Sequence, residues 1–363
     1  MNIMENRRSF IIKSGLFLSA ALLPFPGCIA SNSQRKLGVA LVGLGYYSTD
    51  LLAPALQQTD YCELRGIVTG SPEKIPVWQR KYGIKDSNVY NYDNMHQIAN
   101  NDDIDVIYIV LPTGLHAEYA IKAANAGKHV WCEKPMARTA DECRQIIEAC
   151  NKNRVKLSIG YRMQHETNTK KIMTWAKTNP YGLIKSVISE AGYNGSTINP
   201  WKLKKAMGGG AIYDMGVYPI NAARYSTGME PIAVTATQST NRPEIFTEVD
   251  ETTSFQLEFP GGIMVDGKTS FGESLNNLEV TAENGWYYLR PMQSYSGVQG
   301  KTSDGLNLPP MRKNQQAVQM DDDALAIIND TEVMVPGSDG LKDIHIVEKI
   351  NESAANNSQR VMI

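Results

Sequence analysis

Four short stretches carry side chains that could do chemistry together. Gly43-Leu44-Gly45 follows an apolar run, residues 37–42, and precedes a stretch that reads as a helix. In that setting the first glycine permits a tight turn and the second lets a pyrophosphate approach the backbone. The free N–H groups of a helix N-terminus then meet the phosphates. Ser48 stands where a third glycine is usual and is small enough to keep helix–strand packing. The competing reading is a plain structural turn. Thr69-Gly70-Ser71, with Lys74 nearby, ends the next strand-like run and brings no carboxylate. Hydroxyls and a cation there suit a ribose 2′-phosphate, so the pattern favours NADP over NAD; otherwise Lys74 is a solvated lysine. Cys132-Glu133-Lys134-Pro135 puts a lysine at a strand's carboxyl end, the edge where parallel sheets bind ligands. Its bland alternative is a surface turn. Gly208-Gly209-Gly210 opens a helical pattern in which Asp214 and Tyr218, four residues apart, share a face. A carboxylate can orient a phenol, and an ammonium nearby favours the phenolate that accepts a hydroxyl proton. Alternatively, Asp214 caps the helix and Tyr218 packs into the core.

These residues need a scaffold, and the pattern supplies one. Strands are expected at 37–42, 63–69, 104–112, 129–132 and 155–159, with helices at 115–126 and from the Thr139 capping box to about Asn151. Strands alternating with helices imply a parallel α/β sheet covered on both faces. Beyond residue 160 the rhythm changes. Helices are expected at 166–178, 211–225, 315–329 and 341–355. Strands are expected at 183–190, 232–238, 252–259, 263–270, 278–282 and 286–289, with hairpin turns at Pro260-Gly261-Gly262 and Glu283-Asn284-Gly285. The division is a dinucleotide-binding domain at 37–160 and an α+β domain at 161–363. Gly262-Ile263-Met264-Val265-Asp266-Gly267-Lys268-Thr269 spells a P-loop, but its middle reads as a strand and no helix follows, so it is set aside.

Gly43-Leu44-Gly45, Glu133-Lys134-Pro135, Gly160-Tyr161-Arg162 and the triple glycine with Asp214 and Tyr218, in this order and spacing, resemble the glucose–fructose oxidoreductase (Gfo/Idh/MocA) family. The likeness runs from about Leu37 to the end and includes Tyr108-Ile109-Val110-Leu111-Pro112 and Trp201-Lys202-Leu203. It is nearest to the exported, periplasmic branch, which couples aldose oxidation to ketose reduction. The resemblance implies an α/β fold: an N-terminal Rossmann domain, then an α+β domain with a large, mostly antiparallel open sheet. It implies that Gly43, Leu44, Gly45 and Tyr47 lie along the pyrophosphate and ribose, and that Ser71 and Lys74 hold the 2′-phosphate. Leu111, Pro112 and His116 would flank the stretch from adenosine to nicotinamide. Glu133 would lie by the nicotinamide ribose, with Arg162, Trp201 and Lys202 near the nicotinamide end. Lys134, Asp214 and Tyr218 would be catalytic, with no metal. Tyr218 would take the proton of a sugar hydroxyl, Lys134 would stabilise the oxyanion and Asp214 would orient the network. Lys202 replaces an expected arginine, which loses bidentate contact. Thr113 replaces an asparagine, and residues 31–36 are shorter than the arm by which the exported branch embraces a neighbouring subunit. Two other functions stay open. An NAD-dependent glycosidase of the same fold is disfavoured by the missing acidic residue after Val68. A catalytically silent sugar-binding lipoprotein is disfavoured by the intact Lys134, Asp214 and Tyr218.

Composition narrows the field further. The chain has 363 residues, 42% hydrophobic and 20% charged, with a formal charge of −2. Such a chain is neither disordered, collagenous nor a multispan membrane protein, and it lacks the basic stripe of a nucleic-acid binder. Five cysteines are too few for a disulfide framework. Residues 1–30 read as an export signal of the twin-arginine type: Arg7-Arg8 precede a short apolar run. Gly27-Cys28 offers a lipoprotein junction, which would make Cys28 a lipid anchor. The expected location is therefore periplasmic or exported, with or without that anchor. A homo-oligomer, dimer or tetramer, is expected through an uncovered apolar face of the second sheet.

Overall fold

Six short, mostly buried runs pair in parallel because helices cover both sides of the sheet they form; five are largely apolar, while the second carries Glu63 and Arg65 on one face of its first half. They are β1 (Leu37–Val42), β2 (Cys62–Val68), β3 (Val89–Tyr90), β4 (Val106–Ile109), β5 (His129–Cys132) and β6 (Leu157–Ile159). The computed structural model describes residues 35–363; the export-signal segment and Cys28 lie outside them. The order is β3-β2-β1-β4-β5-β6, every neighbour parallel. The order reverses between β1 and β4, so the loops after these two strands diverge and leave a crevice at their carboxyl ends. Gly43, Thr69, Val110 and Glu133 all stand at that edge. Helices His116–Asn125 and Ala140–Asn153 fall where the pattern expects them, the second capped by Thr139, whose Oγ1 accepts from the Glu142 N–H at 3.1 Å.

The second sheet has nine strands: β7 (Ile184–Gly192), β8 (Ala233–Ser239), β9 (Thr252–Glu258), β10 (Met264–Ser270), β11 (Leu275–Ala282), β12 (Gly285–Leu289), β13 (Gly300–Thr302), β14 (Asn307–Leu308) and β15 (Val361–Met362). Their order is β14-β13-β12-β11-β7-β10-β9-β8-β15, antiparallel except for β10 beside β7. The P-loop lookalike is the β9–β10 hairpin, as its alternating pattern requires. Helices Val217–Thr227 and Gly337–Ala355 cover the inner face. The outer face differs from expectation. Thr235, Thr237, Ser254, Gln256, Asp266 and Lys268 line it, with Ile188 its exposed aliphatic, so it is mixed rather than apolar.

Two elements depart from the pattern. Pro72 and Pro76 hide a helix, Ile75–Tyr82; proline near a helix start costs nothing because that N–H has no partner to lose. Helix Gln315–Ile328 also crosses the division at residue 160. Its Ala317, Met320 and Ala324 pack with Leu41, Leu52, Leu56 and Cys62, closing the core on one side of the first sheet. The N-terminal domain is thus completed by residues far along the chain. Met320 is fully buried there. Met320→Ala should cost about 2–5 kcal/mol in urea unfolding; a loss under about 1 kcal/mol would mean the helix merely rests on the sheet.

Candidate functional site

β1 delivers the chain to Gly43 with φ +92°, where a Cβ would lie 2.4 Å from the Val110 carbonyl oxygen. Only glycine can turn the chain there with β4 so close. Gly45 is different: a Cβ on it would meet no protein atom within 4 Å, because it faces an open cavity. Ser48 is buried and its hydroxyl donates to the Gly43 carbonyl at 2.6 Å, so it braces the turn where a third glycine would only have made room. Lys74 reaches back from beyond β2 and donates to the Leu44 carbonyl at 2.8 Å. Thr69, Ser71 and Lys74 line this end of the cavity, and β2 brings no carboxylate to it.

The cavity, about 700 Å³, runs from Lys74 past Leu111 and Pro112 to Glu133, Lys134, Trp201, Lys202, Asp214 and Tyr218. A second, about 570 Å³, adjoins it and shares Lys134, Tyr193, Lys202, Asp214, Tyr218 and Tyr295. Both volumes suit small ligands. The reactive side chains therefore stand at the junction of the two hollows.

Asp214 organises that junction. Its main-chain carbonyl accepts from Lys134 Nζ at 2.9 Å, and its carboxylate accepts from Lys202 Nζ at 2.6 Å. Lys134 also lies 4.5 Å from the centre of the Tyr218 ring. Burial opposes the charge on Lys202, but Asp214 and the Tyr193 phenol outweigh it and hold its pKa above the ordinary lysine value. The pattern had Asp214 and Tyr218 on one helix. They belong to two, Ala211–Asp214 and Val217–Thr227. Pro219 explains the break: in a continuous helix its ring would clash with the Met215 carbonyl. Asp214 therefore does not act by gripping the Tyr218 phenol; its carboxylate goes to Lys202. Lys202, expected as a weakened nicotinamide contact, is the partner that neutralises Asp214.

Glu133 is buried at the cavity wall, in space that Gly160 leaves clear: a Cβ there would lie 2.7 Å from Glu133 Oε1. Burial pushes its carboxyl up to about 7, against the opposing pull of the Tyr108 hydroxyl, which donates to it at 2.7 Å, and of Lys134. Tyr47 lines the cavity, and burial raises its phenol well above the usual range.

Two expected site residues do not reach the cavity. His116 is buried with its ring nitrogens 2.8 Å from the Leu111 carbonyl and 2.9 Å from that of Pro135. Burial lowers its pKa, and the neutral ring, with a single N–H, donates to one of these carbonyls while packing against the other between the ends of β4 and β5. Arg162 is buried against Tyr218 and Tyr295; its two terminal nitrogens donate to the Gln293 and Ser294 carbonyls and to Gln315, while its Nε has no partner among the described residues. Sequence reasoning also missed Tyr193 and Tyr295. Tyr193 lies just past β7, beyond the expected strand end, and Tyr295 sits in a loop with no motif. The remaining named residues, Gly43, Leu44, Gly45, Tyr47, Ser71, Lys74, Leu111, Pro112, Glu133, Lys134, Trp201, Lys202, Asp214 and Tyr218, come together around one cleft. The forced turn at Gly43, the clear space before Gly45 and the cation at Lys74 fit a bound dinucleotide.

Comparison with known proteins agrees with this geometry. Residues 37–161 match the oxidoreductase family with an NAD-binding Rossmann fold, and residues 170–288 match the GFO/IDH/MocA C-terminal domain. The chain is 36% identical to the aldose-aldose oxidoreductase of Caulobacter crescentus, solved in complex with glycerol, over 91% of this chain and 100% of that one, with a TM-score of 0.86. It is 26% identical over 352 residues to the NADP(+) D-xylose 1-dehydrogenase of Haloarcula marismortui, covering 90% of this chain and 93% of that one. The myo-inositol 2-dehydrogenase of Lactobacillus plantarum, 21% identical with a TM-score of 0.76 over 91% of this chain and 100% of that one, shares the fold.

The Glu133 carboxyl links stability to pH. With a folded pKa of about 7 and an unfolded value near 4.3, the folded chain binds a proton that the unfolded chain has lost. This contribution is full below about pH 4.3 and disappears as pH rises through 7. Thermal unfolding of nucleotide-free protein should therefore show Glu133→Gln losing less stability than wild type between pH 5 and pH 8. Parallel curves would contradict the assignment.

Proposed function

The chain belongs to the Gfo/Idh/MocA family and is an NAD(P)-dependent oxidoreductase; from that premise we propose that it prefers NADP and oxidises an aldose, returning the electrons to a second sugar, a ketose, on a retained cofactor. The observation that carries this reading is Lys134, held by the Asp214 carbonyl against the Tyr218 ring where the two hollows meet. When bound, the nicotinamide supplies the acceptor and donor of two electrons. Gly43, Leu44, Gly45 and Tyr47 would hold its pyrophosphate side, with Glu133 and Trp201 toward the other end of the cavity they share.

Tyr218 accepts the proton of the sugar hydroxyl as the carbon is oxidised, and gives it back when a carbonyl is reduced. Lys134 has three donors; one is spent on Asp214 and the others serve the substrate oxygen as it gains negative charge. Lys202 neutralises the Asp214 carboxylate, so that carboxylate does not draw the Lys134 ammonium away from the reacting oxygen. The aldose-aldose oxidoreductase among its relatives supports transfer between two sugars, and the NADP(+) xylose dehydrogenase supports the nucleotide preference. Ser71 and Lys74, which line the end of the cavity beyond β2, would hold the 2′-phosphate.

The remaining parts of the proposal concern place and assembly. The paired arginines of the N-terminal segment direct export to the periplasm, with or without a lipid on Cys28. A homo-oligomer, dimer or tetramer, would use the outward face of the second sheet through its exposed Ile188 and the polar side chains around it, rather than through the wholly apolar face expected from the pattern.

Three measurements test this. Wild-type protein holding oxidised nucleotide should reduce it when at least one aldose is added and reoxidise it when a ketose follows, both read by nicotinamide absorbance; no reduction by any sugar refutes the reading. Lys134→Met should lower turnover by about 10²–10³-fold while nucleotide is still recovered from denatured protein; full activity in this variant would remove Lys134 from its role. Lys74→Ala should weaken NADP binding by about 10–100-fold, the loss of one charge-assisted bond, and leave NAD binding nearly unchanged. Equal loss for both nucleotides would place the 2′-phosphate elsewhere.

A further inference from the structure

Tyr295 belongs to neither half of the expected machinery, yet it stands in the wall of both hollows. It is 42% exposed, so the face of a large aromatic ring is open to the space between the two hollows. Its ring rests 5.9 Å from that of Tyr47 at a 44° tilt, and the Arg162 guanidinium lies 4.6 Å from its centre.

The loop that carries it is held on several sides. Arg162 donates to the Gln293 carbonyl, and to the Ser294 carbonyl at 3.2 Å. Gln315 donates to the same Ser294 carbonyl at 3.2 Å. The Asn276 side-chain oxygen accepts from the Met292 and Gln293 N–H groups at 2.7 and 2.9 Å, and its amide donates to the Ser294 hydroxyl at 3.0 Å. Met292 anchors the loop in the core. So much backbone satisfaction fixes residues 292–294 and leaves the next side chain, Tyr295, presented to the cavity rather than packed away.

A pyranose is amphipathic. Its axial C–H groups make an apolar patch on one face, and its hydroxyls crowd the edge. The hollow offers both surfaces: an aromatic ring from Tyr295, and polar groups from Lys134, Lys202 and Tyr193. We propose that Tyr295 is a specificity-determining residue, the platform on which the apolar face of a cyclic aldose packs, and that Arg162 is the buried positioning residue that sets the platform's angle. This rests on the sugar reading above and names the feature that selects a ring-form sugar within it. Arg162 acts through Tyr295 and the loop, and it touches neither hollow itself.

The test compares wild type, Tyr295→Ala and Tyr295→Phe on whichever aldose wild type turns over, with KM, kcat and nucleotide binding measured for each. Tyr295→Ala should raise KM for the sugar by about tenfold, the weight of one aromatic contact, and lower kcat much less. Tyr295→Phe, which keeps the ring face, should recover most of the lost affinity. Nucleotide binding should move less than twofold in either. An unchanged KM in Tyr295→Ala overturns the proposal. So does a loss of nucleotide binding, which would make Tyr295 a brace for Tyr47, and so does a phenylalanine variant as weak as the alanine one, which would assign the effect to the hydroxyl. Failure of wild type on every sugar would sink the parent reading as well; the outcomes above, with wild type active, sink this one alone.

Discussion

One aspartate sits between two lysines, and the cleft is organised around that fact. A carboxylate taken out of water without a partner is expensive, and so is an ammonium. Asp214 meets this constraint twice, giving its carboxylate to Lys202 and its main-chain carbonyl to Lys134. The three residues come from three places: Lys134 from the end of a strand in the first sheet, Lys202 from a short turn, and Asp214 from the helix that follows the triple glycine. Their bonds therefore join the dinucleotide half of the cleft to the sugar half. Because the contact to Lys134 uses backbone, its position depends on the chain path around Asp214 as much as on any side chain.

Around this centre the structure separates groups that touch ligand from groups that hold them still. Glu133 faces the cavity, but its carboxyl is fixed from behind by Tyr108, which in turn accepts from Gln319 at 3.2 Å on helix Gln315–Ile328. His116 joins two strand ends without entering the site. Arg162 does the same for the loop before β13. Helix Gln315–Ile328 thus serves both the packing of the first sheet and the back wall of the cleft, through Met320 on one face and Gln315 and Gln319 on another.

The parts that sequence reasoning read well share a physical cause. β1 and β5 were legible to the residue because buried parallel strands must be apolar throughout, and Thr139 announced its helix by a capping pattern that works locally. The glycine turn was legible for the same reason: Gly43 needs a backbone conformation that few other residues tolerate. The misreadings share a cause too. Spacing placed Asp214 and Tyr218 on one helix, and Pro219, in plain view, already forbade it. His116 and Arg162 carry polar groups suited to a cofactor, but whether such a group faces a cavity or a carbonyl is decided by neighbours remote in the chain. Tyr193 and Tyr295 had no motif, because an aromatic ring acquires a role in ligand contact only when a loop presents it.

By itself the sequence determined the alternation of strands and helices, the places where the backbone must turn, and the inventory of an amine, a phenol and a carboxylate at strand and helix ends. These follow from local sterics and from the two periodicities of regular structure. Only the tertiary structure decided which cation answers which anion, because hydrogen bonds form at about 3 Å between groups such as Lys134 and Asp214, which lie 80 positions apart. It alone returned helix Gln315–Ile328 to the first sheet, since an apolar helix face is satisfied by any core that has room for it. And it alone set Tyr295 at the meeting point of two hollows, through bonds from Arg162 and Gln315 that no spacing along the chain could announce.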